Sequence, residues 1–270
     1  MALPSLRDIK LIASDLDGTL LRNWRPTVDD RAFPLIAALT EHGVPFFAAS
    51  GRQYVSLRRL FGPLADQIGY VCENGALVIY QDDVLFKRSV PRAKAIEIFN
   101  AIAAHPDCEV FASGERICYC LEGHDEFRDH LVNVTKCDVT FIPGPEAIEE
   151  PIIKIAFKVP AEKNASICAE FADAFGAGYR VVTSGTIWID VVQDGSDKGV
   201  ALAEVGERLG IDPADMMAFG DELNDREMLD FVGHPCLMET GNPALRRLND
   251  RIRLCGSVED ELERLLATVE

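Results

Sequence analysis

The chain has 270 residues, 48% hydrophobic and 26% charged, ordinary globular proportions with room for one large domain or two modest ones. Its formal net charge of −17 excludes the basic footprint that a nucleic acid or an anionic membrane surface would need, so neither is expected as a partner. Eight cysteines without Cys-x-x-Cys pairs or zinc spacing, no signal peptide, no long apolar span and no repeats read as a cytoplasmic protein with reduced thiols.

The first element is a strand. Ile9, Leu11, Ile12 and Ala13 make a short, nearly continuous apolar run, as in a strand covered on both faces. It runs into Asp15-Leu16-Asp17-Gly18-Thr19, which puts Asp15 at a strand's carboxyl end, where open α/β sheets hold ligands. Two acids this close repel unless a cation sits between them or one is protonated. The hard-cation reading is Mg²⁺, which takes carboxylate oxygens, waters and a substrate phosphate. Taken alone, the same residues also read as a strand followed by an Asp-Gly turn. Thr27 then N-caps a helix through Ile36 and Leu39 to Gly43, in which Pro34 forces a kink or a late start. Residues 44–49 are the second strand of a βαβ unit and end in Ser50-Gly51-Arg52; a helix over 53–61 and a strand over 69–72 follow. Glu73-Asn74-Gly75-Ala76 is a turn signal, and 77–80 with 84–87 make a hairpin.

The middle third changes character. Residues 91–104 form an amphipathic helix with Ala95, Ile98, Phe99 and Ile102 on one stripe. Strands over 109–112 and 116–121, a helix over 126–134, strands over 139–142 and 152–157, a helix over 161–175 and strands over 179–183 and 186–192 follow. Strands that return by hairpins as well as by helices indicate an α+β module inserted in an α/β core. From Asp197 the core pattern resumes. Lys198 opens a helix bearing Val200, Leu202, Val205 and Leu209, closed by Gly210, and a strand over 216–219 ends in Gly220-Asp221. Strands over 235–238 and 252–255 and a helix over 258–268 complete a doubly wound, Rossmann-like parallel sheet flanked by helices.

Four stretches together resemble the motifs of the haloacid dehalogenase-like (HAD) phosphohydrolases. They are Asp15-Leu-Asp17-Gly-Thr19, Phe46-Phe-Ala-Ala-Ser50-Gly51-Arg52, Asp197-Lys198-Gly199 and Met217-Ala-Phe-Gly220-Asp221-Glu-Leu-Asn224-Asp225, in that family's order. The inserted module and Glu73-Asn74-Gly75-Ala76 are similar to the Cof-type branch with a type IIB cap. The resemblance implies a core of residues 1–82 and 185–270 and a mobile C2B-type cap of 83–184. It implies Asp15 as a nucleophile that forms an aspartyl-phosphate and Asp17 as general acid and base. Ser50 would donate to a phosphoryl oxygen, and Lys198 would neutralise charge as a compact cation. Asp15, the backbone oxygen of Asp17, Asp221 and Asp225 are the implied Mg²⁺ contacts. Gly51, Arg52 and Asn224 fall on the substrate side, with Asn224 near Lys198.

Single motifs keep plainer readings open. Ser50-Gly51-Arg52 is also an ordinary strand-to-helix turn, Arg52 also reads as a surface residue, and a lone lysine at a helix start is usually solvated. Glu222 reads as a solvated bystander, and none of the five histidines has ligand spacing. One departure stands out: Asp197 occupies the place where many relatives carry Ser or Asn. It either pairs with Lys198 or caps its helix.

The expected function is Mg²⁺-dependent hydrolysis of small phosphorylated metabolites, sugar phosphates or cofactor phosphates such as flavin mononucleotide or pyridoxal phosphate. Asp17 disfavours the dehalogenase and phosphonatase branches, which lack an acid there. Substrate choice is expected in the cap, near Gly114-Glu115-Arg116, Lys154 and Ser184-Gly185-Thr186. Two other readings stay open: a phosphosugar mutase or phosphotransferase, in which a sugar hydroxyl replaces water, and a non-catalytic binding module, against which the intact acids and lysine argue. The expected partner is a small phosphorylated metabolite, with the protein a monomer or small homo-oligomer.

Overall fold

A computed structural model describes residues 4–22, 25–184 and 186–269. Its contacts divide the chain into two compact units, one of Met1–Ser50, Leu57–Phe86 and Asp197–Glu270, the other of Gly51–Ser56 and Lys87–Ser196. In chain order the strands are β1 (Leu11–Asp15), β2 (Phe46–Ala49), β3 (Gly69–Cys72), β4 (Leu77–Tyr80), β5 (Asp83–Lys87), β6 (Glu109–Ser113), β7 (Cys118–Leu121), β8 (Val139–Ile142), β9 (Lys154–Lys158), β10 (Tyr179–Thr183), β11 (Trp188–Gln193), β12 (Met216–Gly220), β13 (His234–Met238) and β14 (Arg253–Cys255). Between them run α1 (Ala32–Glu41), α2 (Tyr54–Arg59), α3 (Arg92–Ala103), α4 (Asp125–Asn133), α5 (Asn164–Phe175), α6 (Lys198–Leu209), α7 (Arg226–Phe231) and α8 (Val258–Leu266).

In the first unit the sheet order is β14-β13-β12-β1-β2-β3-β4-β5. All pairs from β14 to β3 are parallel, and β4 turns back antiparallel on β3. From β1 the chain winds through β2 to β3 in one direction; from β12 it winds through β13 to β14 in the other. The reversal falls between β1 and β12, whose register runs from Leu11↔Met216 to Ser14↔Phe219. Such a reversal opens a crevice beyond the carboxyl ends of the two strands.

Coverage on both faces explains the unbroken apolar run of β1, where Leu11, Ile12 and Ala13 have no exposed surface. On one face Leu11, Ala13, Phe47 and Ala49 join Ala201, Leu202 and Val205 of α6 and Met228 and Leu229 of α7 in one apolar cluster. The helices α1 and α8 pack on each other, and α1 packs on β2. Of the two outcomes expected at Pro34, the helix takes the late start: α1 begins at Ala32, so Pro34 lies in the first turn, where its missing N–H costs no helical bond.

The second unit has its own sheet, ordered β10-β11-β9-β6-β7-β8 and antiparallel except for the parallel pair β7–β8. Ile155 and Phe157 face α3 and α5 in one cluster, while Ala156 between them faces Phe127 and Leu131 of α4, the period-two signature of a strand covered on both sides. The chain changes sheet later than the boundaries expected at 82/83 and 184/185. Strand β5 still belongs to the first sheet, and β11 still belongs to the second. The cysteines are all free thiols, and among the described residues no helix is long and apolar enough to cross a membrane.

Candidate active site

Asp15 ends β1 at the winding reversal and is 5% exposed. Lys198 opens α6 with a fully buried side chain. Its Nζ donates to Asp15 Oδ1 at 2.5 Å and to Asp225 Oδ1 at 2.6 Å. Of the two roles open to Asp197, the structure selects capping: its Oδ1 accepts from Val200 N at 2.8 Å. That leaves the lysine to Asp15 and Asp225.

Asp221 follows β12. Thr19 Oγ1 donates to its Oδ1 at 2.9 Å. Asp225 Oδ2 accepts from Asp221 N at 2.9 Å and Glu222 N at 3.1 Å. With both oxygens engaged, Asp225 ties the turn after β12 to the lysine. Gly18, at φ +99°, permits the close approach of the first acidic loop: a Cβ built there would lie 2.1 Å from Asp221 Oδ2.

Asp15, Asp221 and Asp225 each offer an oxygen within 4.8 Å of the others. Burial, and then the neighbouring Asp225, push the Asp15 carboxyl well above the usual range. The same two causes, in the same order, push Asp221 up to about 6. Burial alone would lower the Lys198 ammonium, but Asp15 and Asp225 outweigh it and hold its pKa above the ordinary lysine value. Three carboxyls share one ammonium, and all of them offer hard oxygen donors. That donor set could hold a divalent cation, with Asp15 and Asp221 presenting oxygens and Asp225 bracing them.

The remaining expected residues fall as follows. Ser50, just beyond β2, is buried; its N–H donates to Val71 O at 2.8 Å and its carbonyl accepts from Asn74 N at 3.0 Å. Asp17 is exposed, and its backbone bridges to that of Leu21 outside the named strands. Glu222 is exposed and accepts from Asn242 Nδ2 at 3.0 Å. Asn224 was expected near Lys198, but its Nδ2 donates to Asn74 Oδ1 at 3.3 Å, and the neighbour that grips the lysine is Asp225. The one-residue difference follows from the 3₁₀ turn Leu223–Asp225, which leaves Asn224 exposed and buries Asp225.

Gly51 and Arg52 are grouped by their contacts with the second unit. There Lys154 is buried and donates to Asp190 Oδ2 at 3.3 Å and to Gly51 O at 3.0 Å. Glu115 N donates to Glu150 Oε2 at 3.0 Å, which holds the Gly114-Glu115-Arg116 turn. Ser184 and Thr186 flank Gly185, which lies outside the described residues. Two polar residues had no role assigned from the sequence, Thr19 and Asn74. Thr19 follows Asp-Gly directly, a hydroxyl placed where the loop turns back toward the next acid. Asn74 stood in a turn signal and in the stretch similar to the Cof-type branch, with no role of its own.

A family model described as haloacid dehalogenase-like hydrolase matches residues 12–257. The 5-amino-6-(5-phospho-D-ribitylamino)uracil phosphatase YbjI of Escherichia coli (strain K12) is 26% identical over 237 residues, covering 88% of this chain and 88% of its own. The HMP-PP phosphatase of Escherichia fergusonii is 27% identical over 252 residues, covering 88% of this chain and 86% of its own. A crystal structure from Streptococcus mutans UA159 superposes with a TM-score of 0.80 at 26% identity, covering 96% of this chain and 99% of that one. The chain belongs to the haloacid dehalogenase-like hydrolases, in their Cof-type branch.

Proposed function

We propose that this protein is a Mg²⁺-dependent phosphatase of small phosphorylated metabolites, working through an aspartyl-phosphate on Asp15. The observation that carries the reading is the buried Asp15 at the winding reversal, gripped by Lys198 and facing two further acids. The similarity to proteins named as phosphatases of a ribitylaminouracil phosphate and of HMP-PP supports a phosphate ester on a small heterocycle or sugar as substrate. We assign the second unit as the cap of this family. The expected setting is the cytoplasm, without nucleic acid or membrane as partner, in a monomer or small homo-oligomer.

Lys198 holds one oxygen of Asp15 and fixes the carboxylate. The other oxygen attacks phosphorus in line with the leaving group, forming an O–P bond as the ester P–O bond breaks. Exposed Asp17 gives its proton to the departing oxygen. It then takes one from the water that attacks the aspartyl-phosphate, which releases phosphate and restores Asp15. Lys198 offsets the charge that gathers on the acyl phosphate, and the Ser50 hydroxyl donates to a phosphoryl oxygen. Mg²⁺ bound by Asp15, Asp221 and the backbone oxygen of Asp17, with Asp225 behind them, would shield phosphoryl charge from the attacking carboxylate.

The test is phosphate release from a panel of sugar phosphates, nucleotides and cofactor phosphates, with Mg²⁺, with chelator and in Asp15→Asn. Metal-dependent release that vanishes in Asp15→Asn is the expected result. Release that survives in Asp15→Asn would move the nucleophile elsewhere, and no release from a folded, Mg²⁺-binding protein would favour the binding-module reading.

A further inference from the structure

The turn after β3 takes no part in the chemistry above, yet among the described residues of the first unit it holds the longest run of left-handed backbone. Glu73, Asn74 and Gly75 stand in succession at φ 51°, 54° and 94°. Two non-glycine residues in a row in the left-handed region are disfavoured for L-amino acids, and they persist only where surrounding contacts hold them. The other left-handed non-glycine residues of the described chain are Gln81 and Asp82, at the tip between β4 and β5, and Lys136. The turn after β3 is not such a tip. Glu73 and Gly75 are buried, and Asn74 is half-buried.

Each residue of Asn74-Gly75 touches a segment that carries site residues. Asn74 N donates to Ser50 O at 3.0 Å, which fixes the peptide leaving Ser50. Asn74 Oδ1 accepts from Asn224 Nδ2 at 3.3 Å, which ties the turn that carries Asp225. Gly75 lies flat against the peptide joining Asp197 to Lys198: a Cβ built there would stand 2.1 Å from Asp197 O and 2.9 Å from Lys198 N. The left-handed backbone therefore presents a bare surface to the start of α6 and an N–H to Ser50 at the same time.

We propose that Asn74 and Gly75 are positioning residues, a brace that sets the Ser50 loop, the start of α6 at Lys198 and the Asn224–Asp225 turn in one register against Asp15. The proposal rests on the phosphatase reading for its kinetic consequence but not for its geometry. The brace touches backbone and an amide, not the oxygens of Asp15 or Asp221. Its loss thus acts on how the transition state is held rather than on cation binding.

The test uses the full chain and p-nitrophenyl phosphate as probe. Gly75→Ala forces α6 away from the turn; Asn74→Gly keeps the left-handed backbone and its N–H but removes the acceptor for Asn224; Asn74→Asp restores an acceptor. Small displacements of positioned groups cost up to on the order of 10²-fold in rate, so Gly75→Ala is expected to lose about that in kcat. Asn74→Gly is expected to lose about tenfold in kcat with KM within about twofold, and Asn74→Asp to recover to within about threefold of the parent. Gln81→Gly, at a left-handed position away from these contacts, should keep the parental kcat. The Mg²⁺-induced rise in melting temperature should be the same in all of them. A folded Gly75→Ala with parental kcat, or an Asn74→Gly deficit that Asn74→Asp does not relieve, overturns the proposal. Should Gly75→Ala not fold, the Asn74 pair decides.

If the parent releases no phosphate at all, the functional reading fails by itself and amide hydrogen exchange decides the brace. Exchange must then rise in peptides spanning 48–52 and 196–202 of Asn74→Gly or Gly75→Ala, with α8 unchanged. Parental exchange in both stretches overturns it.

Discussion

Replacing Lys198 by Met removes the cation that sits fully buried between Asp15 and Asp225 while keeping most of the side-chain volume. Breaking a buried ionic network by deleting one partner costs about 3–5 kcal/mol, because the remaining charges stay uncompensated. Part of that is recovered by protonation. The Asp15 carboxyl, already pushed up by burial and by Asp225, takes a proton more readily once the lysine is gone. A net loss of about 3 kcal/mol at pH 8 in chelator follows. The sign of the pH dependence is set by the direction of the shift. A carboxyl raised in the folded state contributes stability that is fully present below the unfolded value of about 3.9 and is lost as pH rises through the folded value. Lys198→Met should therefore lie closest to the parent at pH 5 and fall further behind as pH rises. Urea unfolding followed by circular dichroism at pH 5, 6.5 and 8, with chelator throughout, measures the gap. A gap that does not change with pH, or one under about 1 kcal/mol at pH 8, refutes the view that Lys198 is the buried counter-charge of the site.

Asp221→Asn should stabilise the chelated protein at neutral pH. The carboxyl sits at about 6 because of burial and then Asp225, so its contribution is present below the unfolded value and lost as pH rises through 6. Solvent reaches the group, which scales the effect down to about 1 kcal/mol by urea unfolding at pH 8, with no difference at pH 4. The same variant should lose the Mg²⁺-induced rise in melting temperature; an unchanged rise would take Asp221 out of the cation site. Thr19→Val deletes the buried donor to Asp221 Oδ1 and should cost about 1–2 kcal/mol. It should also weaken Mg²⁺ binding measured by calorimetry, with Thr19→Ser close to the parent; equal binding in all three proteins would leave Thr19 a packing residue only.

The parts of the fold that could be read in the residue string are those whose pattern is local. Strand β1 announces itself because both its faces are buried, so Leu11, Ile12 and Ala13 form an unbroken apolar run ahead of the acid. Helix α6 is bracketed by an acid that caps it and a glycine at φ +68° that ends it. Acidic residues at the last position of β1 and directly after β12 betray the winding reversal, since a carboxylate at a buried strand end requires a partner. What stayed hidden depends on contacts between distant residues. The parallel pairing of β7 with β8 is set by packing across the second sheet, not by either strand's composition. Whether Asp197 would cap or pair, and whether Asn224 or Asp225 would reach Lys198, turned on a single residue of rotation at the start of a helix and a 3₁₀ turn. Asn74 gives a turn signal in any context. That its turn is left-handed and pressed against α6 follows only once α6 is in place.

The seam between β1 and β12 also dictates when the site can exist during synthesis. Asp15 and Lys198 are separated by 183 positions, and Thr19 and Asp221 by 202. Strands β6 to β11, in the contiguous stretch Lys87–Ser196, leave the ribosome before α6 and β12 do. Domains tend to form as units in the order they are made. The second unit is thus complete in sequence while β1 still lacks its neighbour on one side and Asp15 still lacks its counter-ion. The stretch that then closes the sheet with β12 is the one that delivers Lys198, Asp221 and Asp225. Shape and charge balance arrive together. A nascent chain stopped before Lys198 carries the carboxylate of Asp15 without the ammonium that grips it.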